Sequence, residues 1–225
     1  MTDLGQQSLL APPGPPRTVK IPADWPASWG MDSATKRLAV GSAQTRADGS
    51  VRRDVHMVRY AEGYTDEDAH REAGQRLAIV EARTMALLEA MLDAGVPAPG
   101  HVMLEQPFGG NAKSGKGPRV DPVLQWTVGV IGATTYRFFR QRLGYVVHVE
   151  LLNVMTWKAQ IGCGGAKGWK PTHKRLGRKP ELADYGIAQW AFLNGFEETG
   201  EPSDWDKVDA MGMAEANRRM VGFIR

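Results

Sequence analysis

Four carboxylates stand at three separated places in the chain: Asp32 after Trp29-Gly30-Met31, Glu105 at the end of His101-Val102-Met103-Leu104, and Asp206 with Asp209 near the start of the last helical stretch. A carboxylate ending an apolar strand adds little to packing but suits a hard divalent cation, which takes oxygen ligands and keeps some of its waters. Positions i and i+3 share a helix face, so Asp206 and Asp209 can enter one site together. Brought together, the three places would hold two metal ions for phosphodiester hydrolysis. Plainer readings exist for each. Acids in a first helical turn complement the dipole, Asp204 reads as the N-cap of that helix, and Asp32 could be an ordinary turn residue. Glu105 is harder to explain away, because a charge where a buried strand emerges needs a partner or an ion.

The elements that must position these groups can be read from periodicity and punctuation. Ser28 to Ala43 reads as a strand, a tight turn at Ser33 to Lys36 and a second strand from Arg37 to Ala43. Asp48-Gly49 marks another turn before a partly exposed third strand, Val51 to Tyr60, completing a β-meander. Thr65 with Asp66, Glu67 and Asp68 starts a helix that Gly95 stops, with Leu77, Val80, Thr84, Leu87, Leu88 and Met91 as its core stripe. His101 to Gln106 is a fourth strand. Asp121-Pro122 opens a long helix to about Leu143. A short buried strand is expected over Tyr145 to Leu151, then helices over 153–161, Glu181 to Leu193 and Asp206 to Phe223. The small residues of Ala210-Met211-Gly212-Met213-Ala214 require the last helix to pack closely while its start faces a cleft. Strands first, then alternating helices and strands, predict an α/β architecture: a mixed sheet flanked by helices.

The 225 residues, 42% of them hydrophobic, suffice for one well-buried domain. We read residues 1–24, with Ala11-Pro12-Pro13-Gly14-Pro15-Pro16, as a flexible Pro-rich tail and 25–225 as the folded domain. The net charge of +3 is modest, but Lys158, Lys167, Lys170, Lys174, Arg175, Arg178 and Lys179 fall between Trp157 and Pro180 without an acid among them. That is the footprint expected for a polyanion, or else a solvated basic loop. A single cysteine, Cys163, excludes an internal disulfide framework, and no apolar run approaches a membrane span or a signal peptide, so a cytoplasmic location is expected. Gly110 to Lys116 has P-loop spacing, but Gly117-Pro118 stands where the Mg²⁺-binding hydroxyl and the helix should begin. Gly162 to Gly165 is too loose for a dinucleotide fingerprint.

Four ordered segments resemble the RuvC family of Holliday junction resolvases, within the RNase H-like nuclease superfamily. They are Trp29 to Lys36, Leu104-Glu105-Gln106-Pro107-Phe108, Trp157 to Gly162 continuing through Gly165-Ala166-Lys167, and Asp206-Lys207-Val208-Asp209-Ala210-Met211-Gly212. The resemblance implies an RNase H-like fold with Asp32, Glu105, Asp206 and Asp209 as catalytic metal ligands. It also implies two Mg²⁺ ions per site, with Mn²⁺ as a substitute, Phe108 as a base-stacking wedge, and Lys158 and Lys167 as phosphate contacts. It further implies a homodimer acting on four-way or other branched DNA in recombination and repair. The helix from Pro122, with Trp126, Val130, Phe138 and Phe139, is either the dimer interface or an internal core helix. A proline-rich extension, an insertion at Gly109 to Asp121 and a stretched basic segment depart from the family pattern and leave open a strict resolvase or a broad debranching nuclease. Two other functions compete. A non-cleaving branched-DNA binder gains nothing from acids facing phosphates, and an RNase H-type enzyme on RNA–DNA hybrids needs 2′-hydroxyl readers that the sequence does not identify.

Overall fold

The computed structural model describes residues 26–60, 73–107, 122–163, 177–179 and 181–222. Five strands form one sheet: β1 (Ala27–Ser33), β2 (Arg37–Thr45), β3 (Val51–Arg59), β4 (Pro99–Glu105) and β5 (His148–Leu152), in the order β3-β2-β1-β4-β5. The three-strand meander pairs antiparallel, with Gly30 opposite Gly41, while β1–β4 and β4–β5 are parallel. The parallel pairs require crossovers, and the helices that supply them cover the sheet. These helices are α1 (Ala73–Asp93), α2 (Pro122–Arg142), α3 (Val154–Gln160), α4 (Gly186–Leu193) and α5 (Asp204–Gly222).

Alternation along the strands sorts the side chains into two cores, because successive residues face opposite sides of a sheet. Trp29 and Met31 of β1, Leu38 and Val40 of β2, and Val102 and Leu104 of β4 pack with Val80, Leu88 and Met91 of α1 and with Ile131, Phe138 and Phe139 of α2. Trp29 anchors this layer. It is fully buried, meets Phe139 edge-on at 5.5 Å and donates its indole N–H to the Pro97 carbonyl at 3.0 Å, the polar partner that a buried tryptophan needs. On the other face Met103 joins Trp157 and Ile161, Ile187, Ala188 and Ala191 of α4, and Val208, Met211 and Met213 of α5. α5 lies against the meander itself. A Cβ on Gly30 would come within 2.4 Å of the Ala214 nitrogen, and one on Gly41 within 2.4 Å of the Ala210 carbonyl oxygen. The close packing expected from the small residues of α5 therefore has a counterpart in two paired glycines of the sheet.

Several expectations are corrected. The strand expected to be buried over Tyr145 to Leu151 runs His148–Leu152 and is the sheet edge, with only Leu152 buried. The single helix over Glu181 to Leu193 is instead a 3₁₀ turn, Leu182–Asp184, followed by α4. Asp184 explains the break: it accepts from the Glu181 backbone at 2.8 Å and from the two terminal guanidinium nitrogens of Arg178, so it closes a local turn. Asp204 is the first helical residue of α5 and no N-cap, for its carboxylate accepts from the Thr199 N–H and hydroxyl, each at 2.8 Å. In α1 the buried stripe contains Arg76 and not Leu77, which is half-buried. Arg76 donates to the Thr35 carbonyl, bracing the turn that follows Asp32. In α2, Phe138 and Phe139 are core, while Trp126 faces solvent, 47% exposed. The helix start at Thr65, the Asp121 cap, the tail 1–24 and the P-loop-like stretch lie outside the described residues.

Candidate active site

The parallel register brings the first two acids together. Met31 pairs with Leu104, so the next residues, Asp32 and Glu105, emerge side by side from the carboxyl ends of β1 and β4. By alternation both face α5, on the same side as Gly30 and Met103. α5 then lays Asp206 and Asp209, one turn apart, over the same edge. The four groups share one electrostatic neighbourhood. Burial pushes the Asp32 carboxyl well above its usual range, and the charges of Glu105, Asp209 and Asp206 push it further, against Lys158. Glu105 is raised by burial and by Asp209, while Asp209 is raised by burial and by Asp206. Asp206 is raised by burial despite a bonded arginine.

Three side chains hold these acids in place. The buried Trp157 of α3 donates its indole N–H to Glu105 Oε2 at 3.1 Å. Lys158, its neighbour on the helix, donates to Asp209 Oδ2 at 3.2 Å while its ammonium lies 4.7 Å from the Trp157 ring centre. Arg37, at the start of β2, bonds Asp206 Oδ2 and reaches the Pro202 carbonyl. Lys158, expected as a phosphate contact, is in this structure the partner of a site acid. Neither Trp157 nor Arg37 carries a local sequence signal for its role, since their partners lie 52 and 169 residues away. Behind Asp32 the buried Tyr60 phenol is raised by burial, against the neighbouring Ser33 and Thr84 hydroxyls.

The donor set fits a hard divalent cation. All four candidate ligands are oxygens, two cationic side chains oppose four carboxylates, and Asp209 Oδ1 is buried with no hydrogen-bond partner. Among the described residues, no three of these acids present oxygens all within 4.8 Å of one another, so cation binding calls for the carboxylates to draw inward. Phe108, Lys167, Lys170, Lys174 and Arg175 lie outside the described residues.

No family model and no curated protein sequence matches the chain. Solved structures do. The Thermus thermophilus RuvC structure matches with a TM-score of 0.52 at 16% identity, covering 88% of this chain and 95% of that one. The yeast mitochondrial Holliday junction resolvase Ydc2 matches with a TM-score of 0.44 at 14% identity, covering 89% and 83%. The strand order, the covering helices and the first of these likenesses together give the chain a RuvC-like fold of the RNase H type, a mixed sheet flanked by helices.

Proposed function

We propose that the chain is a divalent-metal-dependent, structure-selective DNA endonuclease that resolves four-way or other branched DNA. The observation that carries this reading is the gathering of Asp32, Glu105, Asp206 and Asp209 at the carboxyl edge of β1 and β4 under the start of α5. In that reading the four acids hold Mg²⁺, with Mn²⁺ as a substitute. The bound ions would supply an activated water and stabilise the leaving oxygen of an in-line displacement. The chain's own residues do the rest. Trp157 fixes the Glu105 carboxylate, Arg37 fixes Asp206, and Lys158, about a quarter exposed beside Asp209, meets the scissile region's phosphates. The part-buried bonds to Glu105, Asp206 and Asp209 restrict their rotamers before substrate arrives, which is how positioning lowers a barrier.

Lys167, Lys170, Lys174 and Arg175 would extend the phosphate track from Lys158, and Phe108, three residues beyond Glu105, would stack on an unpaired base at the branch. Two symmetric cuts require two sites, so the working unit in this reading is a homodimer, with the exposed Trp126 of α2 as a suitable anchor. The test is cleavage with Mg²⁺ of an immobile four-way junction, a Y-fork, linear duplex and an RNA–DNA hybrid. Paired symmetric nicks in the junction alone support a strict resolvase, and cutting of fork and junction alike supports a debranching nuclease. Cutting of the hybrid alone, or binding of the junction without cutting, refutes the proposal.

A further inference from the structure

We infer that His101, His148 and Glu150 form a second cation site, one for a divalent transition metal of the Zn²⁺ class, separate from the four-carboxylate edge and independent of the nuclease reading. His101 on β4 pairs directly with His148 on β5, and Glu150 follows two residues later on the same face. One ligand atom from each lies within 4.8 Å of the other two. Both imidazole Nε2 atoms converge on a single carboxylate oxygen, Glu150 Oε2, at 3.7 Å from His101 and 4.0 Å from His148. These separations are too long for hydrogen bonds. They are close to the ligand spacing around a tetrahedral ion, about 3.3 Å for bonds of about 2.0–2.1 Å. Closing the difference takes a few tenths of an ångström at each side chain, within reach of a half-exposed Glu150 and an exposed His148.

Asn217 of α5 organises the inner histidine. Its amide nitrogen donates to the Trp29 carbonyl at 2.9 Å and the His101 carbonyl at 3.0 Å, which leaves its Oδ1 as an acceptor. That Oδ1 and His101 Nδ1 are both buried, and neither has a hydrogen-bond partner. A proton on Nδ1 directed to Asn217 leaves the Nε2 lone pair facing Glu150, the orientation by which a neighbouring acceptor sets a metal-ligating histidine. Two nitrogens and one carboxylate suit Zn²⁺, Co²⁺ or Ni²⁺ and are a poor set for Mg²⁺, which wants oxygen. His101 lies four residues before Glu105 on β4, so at about 3.3 Å per residue the two sites stand about 13 Å apart. An ion here would tie the short edge strand β5 to β4, and the exposed His148 leaves coordination positions open to solvent.

The experiment is a calorimetric titration of the full chain with Zn²⁺ in excess Mg²⁺, which competes for any all-oxygen site, together with Co²⁺ absorption and thermal melting. The expected result is one Zn²⁺ equivalent, a raised melting temperature and a Co²⁺ visible spectrum. His148→Ala and Glu150→Gln, both at exposed positions, should each weaken Zn²⁺ binding by more than about 100-fold, the upper end for losing a mere outer partner of a ligand. Failure of the wild type to bind, or binding unchanged in both variants, overturns the assignment and leaves two histidine rings in tilted contact at 4.5 Å.

Discussion

Substituting Gly41 by alanine tests whether the close seat of α5 on the sheet sets the geometry of the acids. The added Cβ would meet the Ala210 oxygen at 2.4 Å, the Ala210 carbon at 2.6 Å and the Met211 nitrogen at 2.7 Å, where ordinary contact begins at 3.4 Å. All three are backbone atoms of α5, so no side chain can swing aside, and relief requires the helix to lift by about 1 Å. Overpacking of this kind costs about 1–3 kcal/mol, and rigid backbone on both sides puts Gly41→Ala at the upper end. Asp206 and Asp209 move with the helix while Asp32 and Glu105 stay with the strands. A displacement of about 1 Å in a catalytic group costs on the order of 100-fold in rate. Urea unfolding gives the stability, and single-turnover junction cleavage at saturating enzyme, well below the unfolding transition, gives the rate. Gly129→Ala is the control: it is an exposed position in α2 with nothing within 4 Å of the new Cβ. Alanine there should stabilise by about 0.5–1 kcal/mol and leave cleavage unchanged. If Gly41→Ala keeps both wild-type stability and wild-type cleavage, the contact does not position the site.

Further predictions concern the groups that brace it. Trp157→Phe removes the indole bond to Glu105 and should raise the Mg²⁺ needed for half-maximal cleavage by about 10–100-fold, as for other orienting partners of ligands; an unchanged Mg²⁺ titration would count against that role. Lys158→Ala should weaken junction binding and reduce the salt slope by about one unit, read from binding isotherms at several salt concentrations. Glu215, 1% exposed, accepts from Arg53, Arg218 and Arg219, and although burial raises its carboxyl, those bonds and charges hold it below its ordinary value. A depressed folded-state pKa gives stability that is fully present above the unfolded value of about 4.3 and lost as pH falls through the folded one. Glu215→Gln should cost about 3 kcal/mol at pH 7, the lower end for breaking a buried pair because Arg218 and Arg219 can reach water. It should also flatten the acid limb of the stability profile; an unchanged limb in urea melts between pH 3 and pH 6 would refute the assignment.

The meander, the three long helices and with them the elements that carry the four acids were legible because each is encoded locally: alternation, turn residues such as Asp48-Gly49, and a helical stripe. What failed was encoded at a distance. The apolar run around Val147 and Val149 has the composition of a buried strand, and only the sheet order reveals β5 as an edge. Asp204 is the local exception: it looks like a cap, but Thr199, five residues earlier, captures its carboxylate. The small residues of α5 announced a close approach, but their partners, Gly30 and Gly41, are matched only through strand pairing. The Trp157–Glu105 bond likewise joins residues that only the packing of α3 against α5 brings together.

The central claim is most directly tested by Mg²⁺-dependent cleavage of an immobile four-way junction with wild type and Asp209→Asn, alongside gel-shift binding of the same junction. The account predicts cutting by the wild type, abolished in Asp209→Asn, with junction binding retained. Cutting by Asp209→Asn at the wild-type rate would contradict it.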